Sequence, residues 1–341
     1  GGSVLRRFRG YPGTPDDHFP EDWLASTVRA RNGQNAQGPD EGLSRVETVA
    51  GSRLVAEVLR EQPAFWFGER QAERTEPGVL WKLLDSSVRL QFQAHPDAAY
   101  ARQHLNSNAG KTECWYIIGT REDACVYLGF QRPPSRQEWA RMIREQDVEA
   151  MLACFDRIPV RAGDCFVIPA GTPHAIGAGV FMMELMEPTD WVVRCETVTA
   201  GVALTPDQCF MGLDLERCLD VFDYRAYSLP EVHSRFQQAP RTVSKTESSI
   251  EEELISDRYE EFFRLHRLRG RGPTRWPGGE LLLAVVLSGQ GRLRCPPDTG
   301  KEVAAGQTWL LPGAANVWEW EAVGEKDWNL LIAKLPVART S

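Results

Sequence analysis

The sequence predicts a mainly β fold with two barrels and helical insertions. Three observations lead to this prediction. Apolar and polar residues alternate around residue 90, short apolar segments recur between glycine-rich turns after residue 257, and segments 160–176 and 303–320 repeat one pattern. Short, regularly spaced strands with Gly-rich turns are typical of β-sandwiches and barrels.

The stretch from 79 to 96 predicts an apolar strand, a turn and a second strand. In the second strand, Leu90 and Phe92 alternate with polar residues. Because side chains alternate along a strand with a period of two, Gln93 and His95 are predicted to project from one face. The next segment, DAAYARQHL, predicts a short helix, and GKTECWYIIGT predicts a further strand.

Two helical stretches interrupt the strands. PSRQEWARMIREQ has a Pro-Ser opening and three apolar residues at helical spacing, and VEAMLACF continues as a second helix. We therefore predict helical insertions at about 133–157 and 205–236, with MGLDLERCLDVFDY as the best helical stretch of the second. Residues 237–257, rich in Ser, Thr, Pro and charge, predict a linker or domain edge.

The internal repeat predicts two domains. VRAGDCFVIPAGTPHAI and VAAGQTWLLPGAANVWEW share a Gly, a polar residue, three apolar residues, a Pro and a turn of small residues. The second copy has Asn316 and Val317 near the position of His174, and no histidine. We expect one domain at 1–240, with the helical insertions, and a second β domain without metal ligands at 241–341.

The composition bears on partners and location. The formal net charge of -8 argues against a nucleic acid held by phosphate contacts. No apolar run approaches the roughly 20 residues needed to span a bilayer, so no membrane partner is expected. The eight cysteines form no CxxC pair, which favours free thiols in a reducing compartment. We expect a soluble cytoplasmic protein.

A candidate metal site follows from three motifs. Gly163, Pro169, Gly171 and His174 form a G-x5-P-x-G-x2-H pattern, whose tight turn sets an imidazole on the inner face of a barrel. The earlier Q-x-H motif adds Gln93 and His95, and the strand GKTECWYIIGT adds Glu113. Two imidazoles, one carboxylate and one amide suit a borderline divalent metal. Zinc fits, with iron or manganese as alternatives.

The same motifs, in their order along the chain, carry a resemblance. LLDSSVRLQFQAHPDAAYA, GKTECWYIIGT and GDCFVIPAGTPHAIGAGVFMMELMEPTD resemble the type I mannose-6-phosphate isomerase family in its short bacterial form, over about residues 75–200. The resemblance implies two cupin-type (jelly-roll) β-barrels, the first catalytic. It implies one zinc per chain, and its ligands match Gln93, His95, Glu113 and His174. It also implies interconversion of mannose 6-phosphate and fructose 6-phosphate through an enediol.

The resemblance further implies three catalytic residues. Lys111 matches an active-site lysine of the family, and Arg194 matches an arginine near the substrate. Asp190 matches a family aspartate. Glu184 matches a family glutamate, and whether it faces the metal is open. From the residues alone, the alternative interpretation of Lys111 is a solvated strand-edge lysine. The alternative for Arg194 is an ion pair with Glu187 or Glu196, and the alternative for Asp190 is a turn or cap carboxylate.

The chain departs from the family in two places. WVVRCETVTAG replaces an aromatic and acidic run after Asp190, and EDWLASTVRARN places Thr27, Val28 and Arg29 where the family has a histidine. Arg29 and Arg31 form a possible alternative anion site, although exposed loop arginines are common.

The expected partner is a small-molecule sugar or sugar phosphate. Functions other than this isomerisation stay open. The enzyme alternative is an isomerase of another aldose, possibly an unphosphorylated one. A non-catalytic sugar-binding cupin is an alternative of a different class. Lys111 and Arg194 beside four ligands favour an enzyme, whereas a cupin oxygenase would need redox-active iron, against which the Gln ligand counts.

Overall fold

The computed structural model describes residues 1–31, 38–48, 51–199, 201–324 and 326–337. Within these residues the fold is mainly β, as predicted. The strands are β1 Glu21–Leu24, β2 Arg45–Thr48, β3 Gly51–Leu54, β4 Leu80–Ser86, β5 Gln93–Ala94, β6 Glu113–Thr120, β7 Cys125–Leu128, β8 Ile158–Pro159, β9 Cys165–Ile168, β10 His174–Ile176, β11 Val180–Met186, β12 Val193–Arg194, β13 Val198–Thr199, β14 Val202–Ala203, β15 Arg241–Lys245, β16 Ser249–Glu253, β17 Arg264–Gly270, β18 Thr274–Pro277, β19 Leu282–Ser288, β20 Gln290–Arg294, β21 Lys301–Ala304, β22 Thr308–Leu311, β23 Val317–Ala322 and β24 Trp328–Lys334. The helices are α1 Ser3–Phe8, α2 Val55–Glu61, α3 Pro63–Phe67, α4 Ala98–His104, α5 Arg136–Glu145, α6 Val148–Ala153, α7 Pro206–Phe210, α8 Leu215–Cys218 and α9 Leu229–Phe236.

Two five-stranded antiparallel sheets form the first barrel. Their strand orders are β1-β4-β11-β6-β9 and β12-β5-β10-β7-β8. Apolar side chains from both sheets pack between them, among them Trp115 and Phe166 from the first sheet and Val126 and Ile176 from the second. Facing antiparallel sheets that share one core make the jelly-roll barrel expected from the sequence.

The later strands form a second barrel from a six-stranded sheet, β15-β16-β17-β24-β19-β22, and a four-stranded sheet, β18-β23-β20-β21. Successive residues of β19 point to opposite faces, so Leu282 packs inside this barrel while Leu283 packs against the first barrel. The core between the barrels joins Leu283 and Leu331 to Leu83 and Val167. The two barrels therefore share a buried interface.

Helices α5 and α6 lie between β7 and β8 of the first barrel. The side chain of Ser135 accepts the backbone N–H of Glu138, and the carboxylate of Glu138 accepts the N–H of Ser135, so a capping box begins α5. Trp139 and Ile143 on the apolar face of this helix pack in one cluster with Ala94 and Ala175 of the second sheet. The insertion thereby supports the sheet that carries β5 and β10.

Two predicted details of strands are wrong. Only Gln93–Ala94 is a strand in the predicted stretch 88–93, because the N–H of Phe92 donates to Glu196 Oε1 (2.9 Å) instead of to a neighbouring strand. The predicted linker at 237–257 contains the hairpin β15–β16. Every residue of β15 is exposed, and this strand lies at a sheet edge, so its composition shows no apolar alternation.

The second insertion contains less helix than predicted. The stretch 211–224, predicted as its best helix, forms only the four-residue α8 and a 3-10 turn at Leu219–Val221. The backbone of Phe222 is extended, the next helix is α9, which begins at Leu229, and Asp223 accepts the phenol O–H of Tyr227 (2.6 Å). In the described part of the chain, no helix has the length and apolar character that crossing a membrane requires.

Candidate metal centre and active-site cavity

Three ionisable side chains from separate segments meet inside the first barrel. His95 follows β5, Glu113 begins β6, and His174 begins β10. Since β6 belongs to one sheet and β5 and β10 to the other, the site lies between the two sheets. All three residues are buried, and one nitrogen or oxygen atom from each lies within 4.8 Å of the others.

Backbone carbonyl groups fix both imidazole rings. Nδ1–H of His95 donates to the carbonyl oxygen of Trp191, and Nδ1–H of His174 donates to that of Thr172, each over 2.8 Å. Burial lowers the pKa of His95 to about 3 and also lowers the pKa of His174. Both rings are therefore neutral near pH 7, with the proton on Nδ1 and an unprotonated Nε2 directed towards Glu113.

The carboxylate of Glu113 lies between these rings and a buried lysine. Its Oε1 is 2.8 Å from His95 Nε2 and 2.8 Å from Lys111 Nζ, and its Oε2 accepts the indole N–H of Trp115 (3.2 Å). Burial raises the pKa of Glu113, but His95 and Lys111 lower it well below its usual range. Because His95 is neutral, we attribute the ionised state of Glu113 chiefly to Lys111.

These residues fit a divalent cation. Glu113 Oε1 has no aligned hydrogen bond with any described residue, and an unprotonated nitrogen lies 2.8 Å from it. The ammonium of Lys111 lies 2.8 Å from Glu113 Oε1 and 3.2 Å from His95 Nε2, so it offsets the repulsion between these two electron-rich atoms, and the fit to a metal rests on the chemistry of the donor set. Neutral imidazoles whose Nδ1–H groups are held by carbonyl oxygens, together with a carboxylate, are typical zinc ligands.

Gln93, the fourth predicted ligand, lies beside this group. Its residue pairs directly with His174 across β5 and β10, and its Nε2 lies 3.2 Å from His174 Nε2. Gln93 and His95 therefore reach the same group of side chains, as the alternation predicts. The role of Gln93 as a ligand stays a prediction.

A cavity of about 1210 Å³ lies next to this group, and His95, Glu113 and His174 themselves are buried behind its wall. Gln93 and Lys111 line it, and so do the other two predicted catalytic residues, Arg194 and Asp190. The structure thus brings all three predicted catalytic residues to one cavity, and Lys111 both lines this cavity and contacts Glu113.

The contacts decide between the alternative readings of these residues. Lys111 is 4% exposed, so it is not a solvated strand-edge lysine. Glu196 forms its ion pair with Arg89 (2.7 Å), while the guanidinium of Arg194 donates to the carbonyl oxygen of Gln208 (2.6 Å). Asp190 does accept a backbone N–H, from Arg31, over 2.8 Å. Asp190 therefore holds a loop as well as lining the cavity.

The sequence reasoning missed a second buried charge cluster on the cavity wall. Lys82 Nζ lies 3.2 Å from Glu184 Oε2 and 3.5 Å from Glu21 Oε2. Trp115 joins this cluster to the first, because its indole N–H lies 3.3 Å from Glu184 Oε1 as well as near Glu113. One sequence feature could have indicated this cluster: Lys82 lies inside β4, a strand whose other residues are mostly apolar.

Burial sets the ionisation of the second cluster. It raises the pKa of Glu184 to about 7, although Lys82 opposes this shift. Burial by itself would lower the pKa of Lys82, but Glu184 and Glu21 raise it above its ordinary value. The cavity wall therefore carries a fixed ammonium group and a carboxyl group that exchanges its proton near neutral pH.

A jelly-roll barrel with two imidazoles and a carboxylate below a polar cavity defines a cupin with a candidate metal centre. The chain is 41% identical over 328 residues to the mannose-6-phosphate isomerase of Streptococcus mutans serotype c, covering 94% of this chain and 91% of the relative. The chain belongs to the mannose-6-phosphate isomerase family. It is accordingly an isomerase, within the intramolecular oxidoreductases.

Solved structures share the fold over nearly the whole chain. Mannose 6-phosphate isomerase from Bacillus subtilis aligns with a TM-score of 0.75 at 23% identity, covering 98% of this chain and 95% of the other. A mannose 6-phosphate isomerase bound with zinc and yttrium aligns with a TM-score of 0.69 at 12% identity, covering 99% and 96%. At these identities the likeness concerns the fold. A comparison with protein-family models gives no match.

Proposed function

We propose that the protein is a zinc-dependent aldose–ketose isomerase that interconverts mannose 6-phosphate and fructose 6-phosphate through an enediol. One observation carries the proposal: His95, Glu113 and His174 converge beside Lys111, and Lys111 also lines the cavity. The name of the Streptococcus mutans relative supports the substrate, and the zinc-bound structural neighbour supports the metal.

We propose one zinc per chain, held by His95, Glu113 and His174 through two unprotonated nitrogens and a carboxylate oxygen. Gln93 completes the set when its amide oxygen faces the metal. Bound there, zinc supplies a Lewis acid that polarises sugar oxygens. The backbone carbonyls of Trp191 and Thr172 hold the imidazoles in the orientation that ligation requires.

Lys111 and Glu184 are our two candidates for the group that moves the proton between C1 and C2. Isomerisation requires a base that removes a proton next to a carbonyl and returns it to the neighbouring carbon. Lys111 lines the cavity beside the metal-ligand candidates, and Glu184 has a pKa near 7, where a carboxyl group both accepts and releases protons. We keep both as candidates for the base.

Arg194 and Asp190 complete the proposed catalytic group. Arg194 follows Val193 on β12, opposite Gln93, and its planar guanidinium can hold the negative charge that develops on substrate oxygen. Asp190 holds the backbone of Arg31 at the cavity edge. We assign it a positioning role for the substrate-binding wall.

The proposed activity resides in the first barrel. Strands β1–β14 pair among themselves, and so do β15–β24, which supports a catalytic domain at 1–240 and a second β domain at 241–341. In the second region no cluster of metal-binding side chains is found among the described residues. The eight cysteines are free thiols, which supports a reducing cytoplasmic location.

Metal analysis and a coupled assay test the proposal. We expect about one zinc per chain by elemental analysis, and turnover of fructose 6-phosphate that is lost with EDTA and restored by zinc. In deuterium oxide, the enediol should take up deuterium from solvent, so deuterium should appear on C2 of the mannose 6-phosphate that forms. Turnover of free sugars but not of phosphates would favour another aldose isomerase, and sugar binding without exchange would favour a binding protein.

A further inference from the structure

We propose that Arg31, supported by Trp191, binds the anionic phosphoryl end of the substrate. This inference rests on the proposed function, which requires a sugar monophosphate in the cavity. Arg31 lines the large cavity together with Lys111 and Gln93. It also lines a smaller pocket of about 460 Å³ beside it, which shares Asp190, Val192, Arg194 and Gln208 with the cavity. The smaller pocket is the proposed phosphate subsite.

The ring of Trp191 orients the guanidinium of Arg31. The central carbon of the guanidinium lies 3.6 Å from the ring centroid, so a flat cation is held against an aromatic face. Stacking uses the face of the guanidinium and leaves its in-plane N–H groups to donate. Those groups form a fork that matches two oxygens of a phosphate. The backbone N–H of Arg31 is held separately by Asp190.

Trp191 also ties this subsite to the metal-ligand candidates. Its backbone carbonyl accepts Nδ1–H of His95, while its ring supports Arg31. One residue thus contacts the anion-binding group with its ring and the imidazole with its backbone. A hexose 6-phosphate has the same arrangement, with the reacting oxygens at one end and the phosphoryl group at the other.

The charge of the protein makes a local cation necessary. The formal net charge is -8, and the cavity is also lined by carboxylates such as Glu21, Glu184 and Asp190. A phosphate dianion therefore enters only where fixed cations offset these charges. Arg31 is exposed to solvent at this edge and is available to an incoming ligand. Arg29, in contrast, is paired with Asp40 (3.1 Å), so the two arginines do not act together.

Binding of inorganic phosphate to the metal-loaded protein tests the subsite. Isothermal titration calorimetry should show at least tenfold weaker binding in Arg31→Ala than in the unaltered protein, with Arg31→Lys in between, because lysine lacks the planar fork. In the coupled assay, Arg31→Ala should raise KM for fructose 6-phosphate about tenfold and change kcat less than about threefold. Arg141→Ala, which removes an exposed helical arginine, is the matched control and should change neither measurement.

The outcomes separate the subsite from the isomerase proposal. Equal phosphate binding by Arg31→Ala and the unaltered protein overturns the subsite, because the phosphate then binds elsewhere, for example at the metal. Absence of phosphate binding in the unaltered protein overturns it as well. If no hexose phosphate is turned over but Arg31→Ala still loses phosphate binding, the isomerase proposal fails and the anion subsite stands.

Discussion

His174 lies directly opposite Gln93 in the antiparallel pair of β10 and β5, with His174 Nε2 and Gln93 Nε2 3.2 Å apart. Since Nε2 of His174 carries a lone pair, the amide of Gln93 donates an N–H to it. A half-turn of this amide would present its oxygen instead, at a similar distance. Gln93 and His174 are therefore hydrogen-bonded to each other. In the proposed zinc site, the same two residues are both ligands.

We predict that His174→Ala abolishes metal binding. The substitution removes a nitrogen ligand and leaves two of the three strongly ligating side chains, so zinc should fall below about one tenth per chain by elemental analysis after dialysis. His233→Ala is the control, since His233 is exposed on α9 and bonds to Gln237. Full zinc retention by a folded His174→Ala protein, checked by circular dichroism, would refute the assignment.

Lys111→Ala should separate catalysis from metal binding. The variant loses a proposed proton-transfer group, so kcat should fall by about 10²- to 10⁴-fold while zinc content stays near one per chain. The substitution also removes the cation nearest to Glu113. A bound metal would offset the negative charge of this carboxylate instead. Lys245→Ala, on the exposed strand β15, should retain full activity. Loss of zinc in parallel with activity would show that Lys111 acts by supporting the metal.

The sequence predicts the site where local motifs fix the geometry. The turn before His174 sets the start of a strand, and a period of two brings Gln93 and His95 to the same group of residues. Lys82 could not be placed in this way, because its partners Glu184 and Glu21 lie on other strands and only the pairing of the sheet brings them together. The hairpin at 241–253 was missed because an exposed edge strand lacks apolar alternation.

The raised pKa of Glu184 predicts a dependence of stability on pH. Burial raises this pKa to about 7 in the folded protein, compared with 4.5 for an exposed glutamate. Between these values the folded state binds more protons than the unfolded state, so stability falls as pH rises from 4.5 through 7. One such group contributes a slope of up to about 1.4 kcal/mol per pH unit.

Glu184→Gln should remove this contribution. In urea unfolding experiments, the free energy of unfolding of the variant minus that of the unaltered protein should be larger at pH 8 than at pH 5. The variant is then relatively more stable at pH 8. Glu302→Gln, an exposed residue on β21, serves as the control and should show no such difference. An identical pH dependence for Glu184→Gln and the unaltered protein would show that Glu184 titrates with an ordinary pKa.

Lys82→Met should destabilise the protein most at pH 8, where Glu184 is ionised. Removing one partner of a buried ion pair leaves an uncompensated charge, which costs about 3–5 kcal/mol. Lys82 is 5% exposed and Glu184 is 3% exposed, so the little water that reaches them from the cavity replaces the lost partner only in part. We therefore expect a clear loss of stability in urea unfolding, whereas Lys301→Met on the exposed part of β21 should have little effect.

Adding Glu184→Gln to Lys82→Met should recover part of that loss, because the double variant no longer buries the unpaired carboxylate. The difference between the double variant and the sum of the single variants measures the coupling of the pair. Glu21 remains a partner of Lys82 in Glu184→Gln alone, so this single variant should lose less stability than Lys82→Met. Additive effects of the two substitutions would mean that Lys82 and Glu184 contribute to stability independently, despite the 3.2 Å between their charged atoms.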